Sequence, residues 1–135
     1  MKGAYVLLIQ LESGKEIGVG SLGTIHFPQG FYLYIGSAMN GIKARVNRHL
    51  RNTKKIHWHI DYLLKNAKVI QAYNKEGKKG LECSLSRKLN KNFLAIPRFG
   101  SSDCSCTGHL FLGEKEDLIQ FLQKNNMKKF DLHGL

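Results

Sequence analysis

The chain has 135 residues, 42% of them hydrophobic, and its 21 lysines and arginines stand against 10 aspartates and glutamates, a formal net charge of +11. This length and apolar share suit one folded domain with a real core and exclude a disordered tail. The charge calls for a polyanionic partner, and its spread over Lys43, Arg45, Arg48, Arg51, Lys75, Lys79 and Arg87, rather than along one amphipathic helix, favours nucleic acid over a membrane surface.

No stretch approaches the ~20 apolar residues of a membrane-spanning helix. Three cysteines, Cys83, Cys104 and Cys106, are odd in number, and two of them sit too close together to bridge comfortably. They make no disulfide framework and suit a reducing cytosol. A cytoplasmic protein with no membrane partner is expected.

In chain order, "AYVLLIQL" predicts a buried strand closed by the turn "ESGK". "EIGVGSLGTIHF" is a second extended stretch whose glycines predict bends or a bulge. After the turn at "FPQG", "FYLYIG" predicts a strand with Tyr32 and Tyr34 on one face and Phe31, Leu33 and Ile35 on the other. "NGIKARVNRHLRN" predicts a helix with Ile42, Val46 and Leu50 as its apolar stripe, and "HWHIDYLLKNAK" a second helix buried through Ile60, Leu63 and Leu64. "VIQAY" reads as a strand, and "LECSLSRKLNKN" as a helix with a Leu81, Leu85, Leu89 stripe. "FLAIPRFG" and "HLFLG" are short extended pieces around the loop "SSDCSCTG". "EKEDLIQFLQKNN" ends the series as an amphipathic helix, acidic in its first turn and followed by lysines. The expected fold is a single α/β (α+β) domain over residues 1–135, with strands mixed in direction.

Arg45 and His49 lie four apart on one helical face, beside the apolar stripe and so at the edge of the core. A solvated basic face, shared with Arg48 and Arg51, is the plainer explanation. Glu82 stands beside the next leucine stripe, where a dipole-favoured helix N-terminal acid explains it equally well. Taken together these residues describe a site for phosphodiester hydrolysis, which needs an activated water, a fixed cation and a metal near the leaving oxygen. Arg45 supplies an always-charged fork for phosphate. Glu82 can hold Mg²⁺ or Mn²⁺ by one carboxylate, leaving the other positions to water and phosphate. Proton acceptors are tyrosine, provided that Arg45 and a metal favour its phenolate, or His49.

"GAY" at Gly3–Tyr5, "YIG" at Tyr34–Gly36, the Arg45/His49 pair and the helical Glu82 occur in an order that resembles the GIY-YIG endonuclease family. The blocks "YIGSA", "HWHIDYL" and "FGSSDCSC" resemble a subgroup of short proteins in that family, some of them fused to DNA glycosylases. The resemblance implies a small, mainly antiparallel three-stranded sheet flanked by helices and single-metal cleavage of nucleic acid. Tyr5 and Tyr34 would bracket water and scissile phosphate, Arg45 would bind the phosphate, His49 would assist proton transfer and Glu82 would hold the metal. Gly36 would let the backbone pass close to the site. The stretch between the two tyrosines is longer than the family's, and "EIGVGSLGTIHF" reads as the insertion.

Gly36, Ser37, Arg48, Arg51, Lys54, Lys55 and Trp58 are the expected nucleic-acid contacts, Trp58 by stacking on a base if it is not core filling. Ser101, Ser102 and Asp103 offer a phosphate-contacting loop or a plain turn. Cys104, Cys106 and His109, with one of Cys83, His57 or His59, compose a zinc site or else a set of buried free thiols. The expected function is a metal-dependent endonuclease acting on DNA more than RNA, in repair or processing and beside a glycosylase-type enzyme. The alternatives are an inactive nucleic-acid-binding module and a zinc-containing adaptor.

Overall fold

The computed structural model describes residues 2–39, 41–51, 56, 58–101 and 104–130. Among these residues four α-helices and eight strands follow in the order β1 (Gly3–Leu11), β2 (Lys15–Gly18), β3 (Thr24–Phe27), β4 (Gly30–Ala38), α1 (Ile42–Leu50), α2 (His59–Leu64), β5 (Lys68–Glu76), α3 (Leu81–Asn90), β6 (Leu94–Ala95), β7 (Leu110–Gly113), α4 (Lys115–Lys124) and β8 (Lys128–Lys129).

β1 has no polar face: every residue except Gln10 is buried. Such a strand must be covered on both sides and flanked on both edges. It is paired with β4 along one edge and β5 along the other, within a six-stranded sheet ordered β6-β7-β4-β1-β5-β8. All the pairings are antiparallel. Mixed strand directions, expected from the alternation of strands and helices, are therefore not seen. The family resemblance implies three strands; the sheet has six, a long β4-β1-β5 centre extended by short strands at both edges. The two-lysine β8 was not anticipated, because a rung of two residues has no period to read.

Alternation along β1 and β4 divides the core into two layers. Tyr5, Leu7, Ile9, Tyr32 and Tyr34 face α1 and α2, meeting Ile42, Val46, Ile60 and Leu63. Ala4, Val6, Leu8, Leu33 and Ile35 face α3 and α4, meeting Leu85, Leu89, Leu118 and Leu122. The predicted split of Tyr32 and Tyr34 from Leu33 and Ile35 is thus observed. Leu50, Leu64 and Leu81, predicted inside the helix stripes, are only half-buried. The stretch "EIGVGSLGTIHF" forms a separate two-stranded hairpin, β2 with β3, held to the first layer by Ile17, Val19 and Phe27.

α1 and α2 are locked together by charge. Asp61 is fully buried and accepts two hydrogen bonds from Arg48, Nη1 to Oδ1 and Nη2 to Oδ2, each 3.0 Å. Its Oδ2 also accepts from the Trp58 backbone N–H at 2.9 Å, which caps the short α2. A buried carboxylate held on both oxygens is stable only with its partners in place. Among the described residues, no helix is long and apolar enough to cross a membrane.

Asp61→Ala should destabilise the fold by ~3–5 kcal/mol in denaturant unfolding, because the Arg48 fork then loses its buried acceptor. A loss below ~1 kcal/mol would show that this ion pair does not hold the two helices together.

Candidate active site at the open end of the sheet

In the β1–β4 ladder Tyr5 stands opposite Gly36, and Tyr34 opposite Leu7. Directly opposed residues share a face, so both tyrosines point toward α1. Their ring centroids are 6.3 Å apart, tilted by 52°. Gly36 is needed because a Cβ there would overlap the Tyr5 ring. Tyr5 lies across the glycine and carries its hydroxyl to His49, whose Nε2 is 2.6 Å from the Tyr5 Oη. His49 itself is 2% exposed, so the predicted helix pair divides: His49 joins the core while Arg45 stays half-buried at the rim.

Trp58 organises the cationic side. The Arg45 guanidinium carbon lies 4.5 Å from its ring centroid and that of Arg48 4.1 Å. Guanidinium groups stack well on indole, so the contact orients Arg45 without neutralising it. Trp58 also packs on His49, centroid to centroid 5.7 Å.

Glu82 reaches the same place from the other layer. α3 packs through Leu85 and Leu89 onto the opposite face of the sheet. β7, however, pairs with β4 only as far as Leu110↔Tyr34, whereas β4 runs on to Ala38. At this open edge a cavity of about 410 Å³ is walled by Tyr5, Tyr34, Gly36, Ser37, Arg45 and Trp58, and by Lys79 and Glu82 from the start of α3. Ile35, Met39, Gly100, Cys104 and His109 complete the lining. Among the described residues Glu82 is the one carboxylate on this wall. A larger cavity of about 630 Å³, beside Arg51, Lys65 and Lys68, has His49 but neither tyrosine in its wall, and its acid, Asp61, is bonded to Arg48.

Arg45 favours the tyrosine phenolate, as expected, but burial outweighs it: Tyr34 is pushed up to about 12, with Arg45 pulling the other way. Tyr5 is raised well above the ordinary phenol value by burial and by Tyr34, again against Arg45. The protein alone therefore keeps both phenols protonated at neutral pH.

The other predicted contacts separate. Arg48 is turned inward to Asp61, so its guanidinium fork is engaged structurally. Arg51 is exposed at the end of α1 and lines the larger cavity. Lys54, Lys55, His57, Ser102 and Asp103 lie outside the described residues, and Ser101 is buried. His59 accepts the Gly100 N–H on Nδ1 at 2.9 Å, and burial lowers its pKa, so it serves the fold as a neutral acceptor. Cys104, Cys106 and His109 come together with Cys83 beside the cavity, their ligand atoms all within 4.8 Å of one another. Burial, then the neighbouring thiols, push the Cys83 thiol up. Lys79 and Gly100 were not anticipated. Lys79 sits in a lysine-rich turn three residues before Glu82, a spacing that could have flagged it.

A family model described as a domain of unknown function, DUF123, matches residues 4–131, nearly the whole chain. No curated protein and no solved structure matches it.

Two outcomes follow from the tyrosine geometry. Gly36→Ala should cost ~1–3 kcal/mol of stability by overpacking and displace Tyr5 from His49. Denaturant unfolding and the ¹⁵N shifts of the His49 ring check this, and two unchanged readings would contradict the placement. Because the folded chain holds the Tyr34 proton more tightly than the unfolded chain does, the associated stability is complete below ~10, the ordinary phenol value. It is lost as pH rises through about 12. Tyr34→Phe should flatten the alkaline fall in unfolding free energy, and an unchanged slope would contradict the raised value.

Proposed function

The chain belongs to the DUF123 family, whose description carries no activity, and we propose that it is a metal-dependent endonuclease of the GIY-YIG kind, hydrolysing phosphodiester bonds in nucleic acid. The observation that carries this reading is the convergence of Tyr5, Tyr34, Arg45 and Glu82 on one water-open cavity, with His49 bonded to Tyr5 behind it. A pure binding surface gains nothing from a carboxylate facing phosphate unless a cation separates them.

The residues fit a hard divalent cation. Glu82 is a half-buried oxygen donor on an open wall, the single-carboxylate arrangement that Mg²⁺ accepts with water and phosphate completing its shell. Bound there, Mg²⁺ or Mn²⁺ would act as a Lewis acid on the phosphoryl group. Arg45, held by Trp58, binds a non-bridging phosphate oxygen and offsets the charge that grows there. Lys79 adds a second cation on the same wall.

Tyr34, a neutral phenol, donates a hydrogen bond toward phosphate or water. The proton leaves the attacking water by a relay. Tyr5 Oη accepts from water while its own proton passes to His49 Nε2, so the buried imidazole collects the charge. The partner is DNA more than RNA, and the +11 charge supplies affinity without sequence preference. A cytoplasmic location and a repair setting beside a glycosylase-type enzyme complete the reading.

Plasmid and branched DNA incubated with Mg²⁺ or Mn²⁺ should be cut by the wild type. Glu82→Ala should abolish the cut, and Arg45→Ala should slow it by ~10²–10³-fold. Tyr34→Phe should also slow it. No cleavage by wild type, or undiminished cleavage by Glu82→Ala, would sink the nuclease reading. Salt-sensitive binding without cleavage would instead support an inactive binding module.

A further inference from the structure

We propose that Cys83, Cys104, Cys106 and His109 form a closed four-coordinate zinc centre that clips the first turn of α3 to the loop before β7. The donors converge from separate parts of the chain, one from α3 and three from residues 104–109, and all four ligand atoms lie within 4.8 Å of one another. A tetrahedral zinc ion with three thiolates and one imidazole sets its donors ~3.5–3.8 Å apart. Cys104 Sγ and His109 Nε2 are 3.2 Å apart. Three cysteines and one histidine form one of the donor sets of structural zinc sites.

His109 is already oriented for the task. Its Nδ1 faces the buried Ser86 Oγ at 2.5 Å, leaving Nε2 directed at the thiols. Zinc-bound histidines regularly anchor their second nitrogen in this way, which fixes the ring and the tautomer. The three cysteines are unbridged and half-buried. Soft sulfur donors select zinc over magnesium, so this centre and the Glu82 oxygen site differ in the metal they take.

The centre has a structural reason to exist. Between β6 and β7 the chain runs through a long loop that supplies Gly100, Cys104 and His109 to the cavity wall. Loops of this length inside a compact domain are uncommon and usually functional. Cys83 follows Glu82 directly, and its Sγ lies 3.9 Å from Glu82 Oε1. A zinc ion at this point fixes the loop and the helix turn that carries Glu82 together. The inference stands on the ligand geometry and does not depend on the nuclease reading.

The test uses the full chain, purified without a polyhistidine tag under reducing conditions. Elemental analysis should find close to one zinc per chain. Cobalt substitution should give the intense visible bands of a tetrahedral ion and a near-ultraviolet thiolate charge-transfer band. Zinc should also shield the cysteines from alkylation. Ser86→Ala should keep the fold and weaken zinc binding by ~10–100-fold in chelator competition. Cys106→Ser should lose the tetrahedral cobalt spectrum. Should that variant not fold, the wild-type cobalt spectrum and alkylation pattern decide by themselves. A folded wild type that takes up no zinc when offered an equivalent, shows only octahedral cobalt, or leaves its thiols equally reactive with and without zinc overturns the proposal.

Discussion

Tyr5 can lie across the β1–β4 ladder only because the residue opposite it is Gly36. That one missing Cβ determines where the phenol ends, and thereby what His49 can touch, since the imidazole meets the Tyr5 hydroxyl at 2.6 Å. His49 in turn packs on Trp58, and Trp58 holds Arg45 at the cavity rim. From the contact of the Tyr5 ring with Gly36, the chain of contacts runs outward to the rim of the cavity. Aromatic rings in tilted contact have few ways to shift independently, so the cation is placed by the core beneath it.

Two arginines three residues apart on α1 illustrate how burial sorts like residues into unlike roles. Arg48 is bonded at both terminal nitrogens to a fully buried carboxylate and holds α1 to α2. Arg45 keeps its charge directed into the cavity, stacked on the same indole. The same competition governs the phenols. Desolvation around Tyr34 outweighs the nearby guanidinium, so the site rests with its protons on. Of the two phenols, Tyr5 is the one that shares its hydroxyl with a ring nitrogen, the His49 Nε2 at 2.6 Å.

What could be read from the chain beforehand follows from periodicity. β1, β4 and the leucine stripe of α3 repeat at short intervals, and their faces were legible down to which tyrosines share a side. The Arg45/His49 pair and Glu82 were legible as separate features. That they meet depends on where β7 stops pairing with β4, a register fact with no local signature. Asp61 as the acceptor of Arg48 was hidden for the same reason, since neither residue's neighbours reveal a partner thirteen positions away. The cysteines were harder still. Cys104, Cys106 and His109 have an unfamiliar spacing, and the residue that completes the set comes from a helix twenty-one positions upstream of Cys104. Lys79 passed as one lysine among many, because a +11 background conceals any single cavity-lining cation.

The position of β1 has a consequence for how the molecule is made. It precedes both its neighbours in the chain, and Gly3 must wait for Ala38 on one edge and Glu76 on the other. On the ribosome, then, a nine-residue strand that is apolar on both faces emerges with neither edge occupied. Pairings this distant in sequence are slow to form, and an unpaired apolar edge is a template for the wrong chain. The strand that ends as the best-protected part of the protein begins as its most exposed, and the charged surroundings of the finished fold are not yet there to keep other nascent chains away.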